Sequence, residues 1–233
     1  LALLVAIALD ARRWDGASAA APVVAAGLVL GLLATATIVR SRIWHDEIAL
    51  WSDVTRQEQA FALPYLNLGL ALADAGRLDE AGAAYQRGLA AHADPTITRD
   101  LYVDLGHLEL KRERLDEALA AFTRANAIAP HASADYGIGA VYRTRARAAL
   151  ATGNDLRARE DFARAREALD AALRINWRHY KSQFMLASVL YQSGDFTGAL
   201  EHYRKVVEIA PDTDLGQNAA ESVRQLGTWL ADP

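Results

Sequence analysis

The chain has 233 residues, 52% of them apolar, enough to bury a core well above the size at which small domains become marginal. It holds no cysteine, so a disulfide framework, a thiolate zinc site and a cysteine nucleophile are excluded. The formal charge of -4 divides unevenly: residues 1–44 carry two acids and four arginines, a net of +2, which leaves -6 for the remainder and argues against nucleic-acid binding.

LALLVAIAL, residues 1–9, is apolar but reaches only about 14 Å as a helix, and reads as the end of a truncated transmembrane helix. The chain is then expected to be the C-terminal piece of a larger multi-spanning protein, with DARRWDG as a turn between two spans. SAAAPVVAAGLVLGLLATATIV, residues 18–39, has 22 positions without a charge, and a helix of that length covers roughly 33 Å. A transmembrane helix is expected over 17–40, with Pro22 in its first turns and Arg40 and Arg42 closing it at headgroup level. Two arginines flank each end, so charge does not set its orientation. DEIALWSDVTRQ follows, and the spacing of Trp51 and Val54 predicts a junction helix within 45–60.

YLNLGLALADAGRLDEA, residues 65–81, returns as YVDLGHLELKRERLDEA at 102–118, and continuing both segments gives a pattern of about 34 residues with turn signals between units. In the first unit Tyr65, Leu68, Gly69 and Leu72 mark one helix, Gly76 its stop, and Ala81, Tyr85 and Gly88 a second helix before an Asp94-Pro95 turn. Tyr102, Leu105, Gly106, Ala118, Phe122, Ala125 and Pro130 take the matching places in the second, and Leu186, Ala187, Leu190, Gly194, Ala199, Tyr203, Val206 and Pro211 in a later one. These residues resemble the tetratricopeptide repeat (TPR) signature over about 62–213. The resemblance implies an all-α fold: a TPR solenoid, a right-handed superhelix of helical hairpins, preceded here by the transmembrane helix. Small residues are needed where paired helices cross, which predicts Gly69 against Ala81 and Gly106 against Ala118. The aromatics Tyr85, Phe122 and Tyr203 are expected to fill space against the following unit.

The units divide as 62–98, 99–131, 132–179 and 180–213. In the third, the stop at Ala151-Thr152-Gly153-Asn154 arrives about seven residues late, and beyond it Leu169 and Ala172 repeat the spacing of Phe162 and Ala165. Seven residues leave a helical face in register to within roughly 20°. Residues 132–179 are therefore read as one elongated hairpin whose tip projects beyond the array. It concentrates charge: residues 143–178 hold nine arginines and five acids, a net of +4, with helical ion pairs such as Glu160 with Arg164 expected on its surface. Anionic headgroups or an acidic partner are the other reading of that charge. Leu215, Ala219, Val223, Leu226 and Leu230 fall on one side of a final helix, and 214–233 reads as a capping helix.

Catalytic patterns are thin. The six histidines form no His-Glu-x-x-His arrangement, and His45-Asp46-Glu47 are adjacent residues that cannot converge on one ion. Gly137-Ile138-Gly139 lacks the third glycine of a dinucleotide loop and suits helix packing. No cofactor, metal or catalytic residue is expected. In TPR proteins partners bind the concave face made by the first helix of each unit. The signature places Leu66, Asn67, Leu70 and Asp74 there, then Val103, Asp104, His107 and Lys111, then Tyr136, Arg143 and Thr144, then Phe184, Ser188 and Tyr191. A protein or peptide ligand across that groove is the expected partner. Leu66 and Leu70 stand where carboxylate-clamping relatives carry Lys and Asn, which argues against such a clamp.

The junction IVRSRIWHDEIALW resembles the family related to the transmembrane and TPR O-mannosyltransferases, through Arg40, Trp44, Asp46, Leu50 and Trp51, with Gln59 where such proteins often have Pro. That resemblance implies a bacterial inner-membrane protein with a glycosyltransferase-like body upstream and an extracytoplasmic TPR tail that recruits acceptor proteins. The chain itself is then non-catalytic, either as that tail or as a membrane-anchored interaction scaffold.

Overall fold

The structure, a computed structural model, describes residues 17–43 and 46–231, with side chains of the first helix described from 24 to 37. The expectations on residues 1–9, on the DARRWDG turn and on Trp44 and His45 lie outside the described residues, as does the side chain of Arg40. Among the described residues the fold is all-helical, with an isolated bridge between Phe61 and His92 as its sole β pairing. The chain divides into two compact units, Leu1–Gln57 and Glu58–Pro233.

The first unit holds α1 (Ala17–Ile43) and α2 (Glu47–Gln57). Asp46 Oδ1 accepts from the Ala49 N–H at 3.1 Å and caps α2. In α1, Val24, Leu28, Leu32 and Leu33 are all exposed. Among the described residues no helix is long and apolar enough to cross a membrane.

The second unit stacks four helical hairpins and a last helix: α3 (Ala62–Asp74) with α4 (Leu78–Ala90), α5 (Pro95–Lys111) with α6 (Leu115–Ile128), α7 (Ala132–Ala151) with α8 (Asp155–Ile175), α9 (Tyr180–Gln192) with α10 (Phe196–Ile209), then α11 (Asp214–Ala231). All four turns are closed alike. The N–H of Arg77, Arg114, Asn154 and Asp195 donates to the carbonyl five residues back, at 2.8–2.9 Å, after a residue of positive φ. That is a Schellman turn, which satisfies carbonyls the helix end would orphan. Glycine supplies the positive φ at Gly76, Gly153 and Gly194, whereas the second hairpin uses Glu113 at φ 61°. Asp94-Pro95 ends the link between the first two hairpins: Asp94 caps α5 by accepting from the Ile97 N–H at 3.0 Å, and Pro95 is its first residue. The boundary placed between 98 and 99 thus falls inside α5.

The crossing pairs differ from the expected ones. A Cβ on Gly69 would lie 2.2 Å from the Tyr85 ring, and one on Gly106 would lie 2.6 Å from the Phe122 ring. The glycines make room for aromatics, not for Ala81 and Ala118, because the turn sets an antiparallel register in which Gly69 meets Tyr85. Phe122 also reaches forward, to 2.2 Å from a Cβ built on Gly137 of the next hairpin. Gly139 repeats the motif within its own hairpin, against Leu169 at 2.7 Å. Both glycines of Gly137-Ile138-Gly139 therefore serve packing.

The third hairpin has helices of 20 and 21 residues, against 13 to 17 in the others. Its Arg145 pairs with Asp116, just past the second hairpin's turn, while its own turn lies eight residues on at Gly153, so the tip overhangs that neighbour by about 12 Å. On the other side a cleft lined by Leu150 and Asp155 near the tip runs down α8 as far as Arg166 and meets Val189–Asp195 of the fourth hairpin. The tip thus projects past the preceding hairpin. On its surface Arg157 pairs with Asp161 and Arg166 with Asp170, each at 3.8 Å, while Arg164 lies over the Tyr142 ring and not against Glu160.

Candidate partner-binding face

The residues placed on the groove come from α3, α5, α7 and α9, and they divide by burial. Leu66 and Val103 are buried in the core. Leu70, Asp74, Lys111, Thr144 and Tyr191 are exposed, and Asn67, Asp104, His107, Tyr136, Arg143, Phe184 and Ser188 are half-buried. Burial of the first two follows from the helical period, since each follows a signature Tyr and turns inward beside it.

Three successive hairpins are joined by ring contacts along this side. The His107 ring packs edge-on to Phe122 at 5.0 Å and lies 6.4 Å from Tyr136, which in turn meets His179 edge-on at 5.6 Å. His179 Nδ1 is 2.6 Å from Ser182 Oγ. Burial, then the cations Lys181 and Lys111, hold His107 down at about 4, so it is neutral at physiological pH. Asp104 is pushed the other way, up to about 7, by burial and by the carboxylates of Asp100 and Asp74. The face thus runs from clustered acids on α3 and α5 to neutral rings in the middle.

Beyond Ser188 the face ends in a cleft of about 590 Å³ lined by Tyr191, Phe196, Tyr203, Ser222, Gln225, Leu226 and Trp229. Phe196 is edge-on to both Tyr191, at 5.3 Å, and Trp229, at 4.7 Å. Of these, sequence reasoning named only Tyr191 for the groove. Trp229 had a signal: it sits three residues after Leu226 at the margin of the apolar stripe of α11, and is 55% exposed. Among the described residues no group of three or more His, Asp or Glu is placed to hold a metal ion.

Residues 48–96 and 150–213, a little under half of the chain, match the tetratricopeptide repeat family model. The array is a TPR solenoid. No curated protein matches the chain. Among solved structures it is similar to TTC0263, a thermophilic TPR protein of Thermus thermophilus, at 20% identity over 72% of this chain and 82% of that one, with a TM-score of 0.60. It is also similar to MamA from Desulfovibrio magneticus, at 23% identity over 76% and 94% with a TM-score of 0.55. A third is a chain of the APC/C hetero-tetramer Cut9–Hcn1, at 20% identity over 77% of this chain and 32% of that one, with a TM-score of 0.61. At these identities the likeness is one of fold. A TPR array of this kind is consistent with a non-catalytic scaffold for protein–protein interaction.

Proposed function

We propose that the chain is a membrane-tethered TPR scaffold whose first-helix face receives a protein or peptide partner. The observation that carries this reading is the row of half-buried rings His107, Tyr136 and His179, which crosses three hairpins and stays partly open to solvent along its length. A side that has aromatic contact area already held in place and mixed polarity offers binding at low ordering cost. A similar fold occurs in a protein that assembles with others, the Cut9–Hcn1 hetero-tetramer. Tethering through 17–40 is supported by sequence, 22 uncharged positions, and by the exposed Val and Leu side chains of α1, which are costly in water. Bacterial inner membrane with the array outside the cytoplasm is the location that fits the junction resemblance.

The test is site-specific photocrosslinking in cells. A benzophenone side chain at Tyr136 or Phe184 should give discrete adducts that are absent with the same group at Arg124 or Arg159 on second helices; adducts from the second helices only would overturn the groove. The alternative, a recruiting tail on a membrane glycosyltransferase, is favoured by the junction residues Arg40, Trp44, Asp46, Leu50 and Trp51 and is decided by the reading frame upstream of Leu1. Many further spans with an acidic loop support it, and an immediate start codon rejects it.

A further inference from the structure

Four arginines are half-buried among the described residues: Arg99, Arg112, Arg143 and Arg145. Three of them are neutralised. Arg99 pairs with Asp100 at 2.8 Å, Arg112 with Asp79 at 2.7 Å and Glu109 at 3.1 Å, and Arg145 with Asp116. Arg143 differs. Among the described residues it makes no ion pair; its sole hydrogen bond is a long one to Ser188 Oγ, at 3.4 Å, and its Nε is shut off from solvent without an acceptor. The groups that act on its charge are the Arg147 cation and the phenols of Tyr136 and Tyr203. A half-buried guanidinium with idle donors carries a desolvation cost that the fold does not compensate.

Through Ser188, Arg143 reaches α9, the helix that carries Tyr191 of the aromatic cleft. Tyr203, whose hydroxyl is within electrostatic reach of Arg143, lines the cleft together with Tyr191, Ser222, Phe196 and Trp229. The two features differ in what they accept. A planar fork of N–H donors suits a carboxylate, and one cation flanked by phenols suits a single negative charge. A cleft of about 590 Å³ walled by aromatic rings, with Ser222 and Gln225 at hand, suits one large apolar side chain.

We propose that the face binds a linear segment of a partner protein carrying an Asp or Glu, seated on Arg143, and a neighbouring large apolar side chain, seated between Tyr191, Phe196 and Trp229. This rests on the groove reading above and gives its ligand a chemistry. Neither Arg143 with its phenols nor the α11 wall reproduces the Lys and Asn positions of a carboxylate clamp, where this chain has Leu66 and Leu70.

A phage-displayed random heptapeptide library selected on the full 233-residue chain in detergent tests the proposal. Recovered peptides should be enriched in Asp or Glu together with Phe, Trp or Leu. Selection on Arg143→Gln should lose the acidic enrichment and keep the apolar one, and Trp229→Ala should do the reverse. For a recovered peptide, replacing its acid by the amide should weaken binding to the wild type about tenfold and have no further effect on Arg143→Gln. Arg143→Met, which removes an unpaired charge, should melt no lower than the wild type; a large drop would mean that Arg143 is structural and would overturn the proposal. Peptides without acidic preference, or peptides whose preference tracks phosphate competition at another site, would also overturn it while leaving the groove standing. Failure to recover any peptide, together with no adducts at Tyr136 or Phe184, would remove the groove and this inference together.

Discussion

The Phe122 ring is held between two glycines of different hairpins, Gly106 within its own and Gly137 in the next, and a Cβ on either would fall inside it, at 2.6 and 2.2 Å. This ring is fully buried, so it has no free direction in which to retreat. Alanine is the better helix former by about 1 kcal/mol, but overpacking a filled core costs about 1–3 kcal/mol and should prevail here. Gly137→Ala is expected to destabilise the array by about 2 kcal/mol. Gly227→Ala is the control: it lies in α11 with nothing within 4 Å of the added carbon, and should stabilise by up to about 1 kcal/mol. Urea titrations followed by circular dichroism would separate the two signs.

Glu113 is the one described non-glycine residue with positive φ, at 61°, in a turn whose counterparts are Gly76, Gly153 and Gly194. Left-handed backbone costs a side chain roughly 1–2 kcal/mol, partly offset by the entropy glycine loses on folding. Glu113→Gly should therefore raise stability by about 0.5–1 kcal/mol, and Gly76→Glu should lower it by at least as much. Equal melting temperatures for wild type and Glu113→Gly would show that the second turn is not strained.

The helical array and its terminal helix are written in local spacing, because Schellman turns and apolar periods are short-range devices that a single strip of residues such as 65–81 displays. What the strip does not display is depth. Leu66 and Val103 share the groove-side phase with Asn67 and Asp104, and only packing decides that the former are buried. Gly69 faces Tyr85 and not Ala81 because the turn fixes the antiparallel register, a relation between helices that spacing within each helix leaves open. The cleft of Tyr191, Phe196 and Trp229 forms from residues up to 38 positions apart, once α11 docks on α10, so no local motif announces it. Arg143 stands in a run of arginines at 143, 145 and 147 that looks uniform in sequence, and its lack of a carboxylate emerges only against the pairing of Arg145 with Asp116.

Acid–base behaviour follows from two groups near the middle of the face that pull in opposite directions. Asp104 has its folded pKa raised to about 7, so its contribution is full below the ordinary carboxylate range and is lost as pH rises through 7. His107 has its folded pKa lowered to about 4, so its contribution is full above the ordinary imidazole value and is lost as pH falls towards 4. Burial likewise lowers His131, His179 and His202, which adds to the acid limb. Asp104→Asn should raise the melting temperature at pH 8 and leave it unchanged at pH 4. The rise to about 7 sets a ceiling of about 4 kcal/mol, and solvent screening on a half-open face brings the expected gain to about 1–2 kcal/mol. His107→Gln should flatten the loss of stability between pH 6.5 and 4. A pH series of thermal melts on both variants checks the signs, and a gain for Asp104→Asn that persists at pH 4 would assign it to packing.

Arg112 links the first two hairpins from a half-buried position. Its guanidinium donates to the Leu78 carbonyl and to Asp79 Oδ1, each at 2.7 Å, and to Glu109 Oε1 at 3.1 Å. Glu109 is only 7% exposed and takes a second pairing from Arg114 at 2.7 Å. Removing Arg112 leaves a buried carboxylate with one exposed partner and an idle carbonyl, so Arg112→Met is expected to cost about 3 kcal/mol. Asp79 is fully exposed, and Asp79→Asn should leave the melting temperature unchanged, because a surface partner adds little where water already screens the charge. The double variant Arg112→Met with Glu109→Leu should recover most of the loss, since replacing both members of a buried pair by apolar side chains is close to neutral whereas breaking it is not. If the double variant is no more stable than Arg112→Met alone, the cost belongs to the severed Leu78 contact between hairpins and not to the stranded carboxylate.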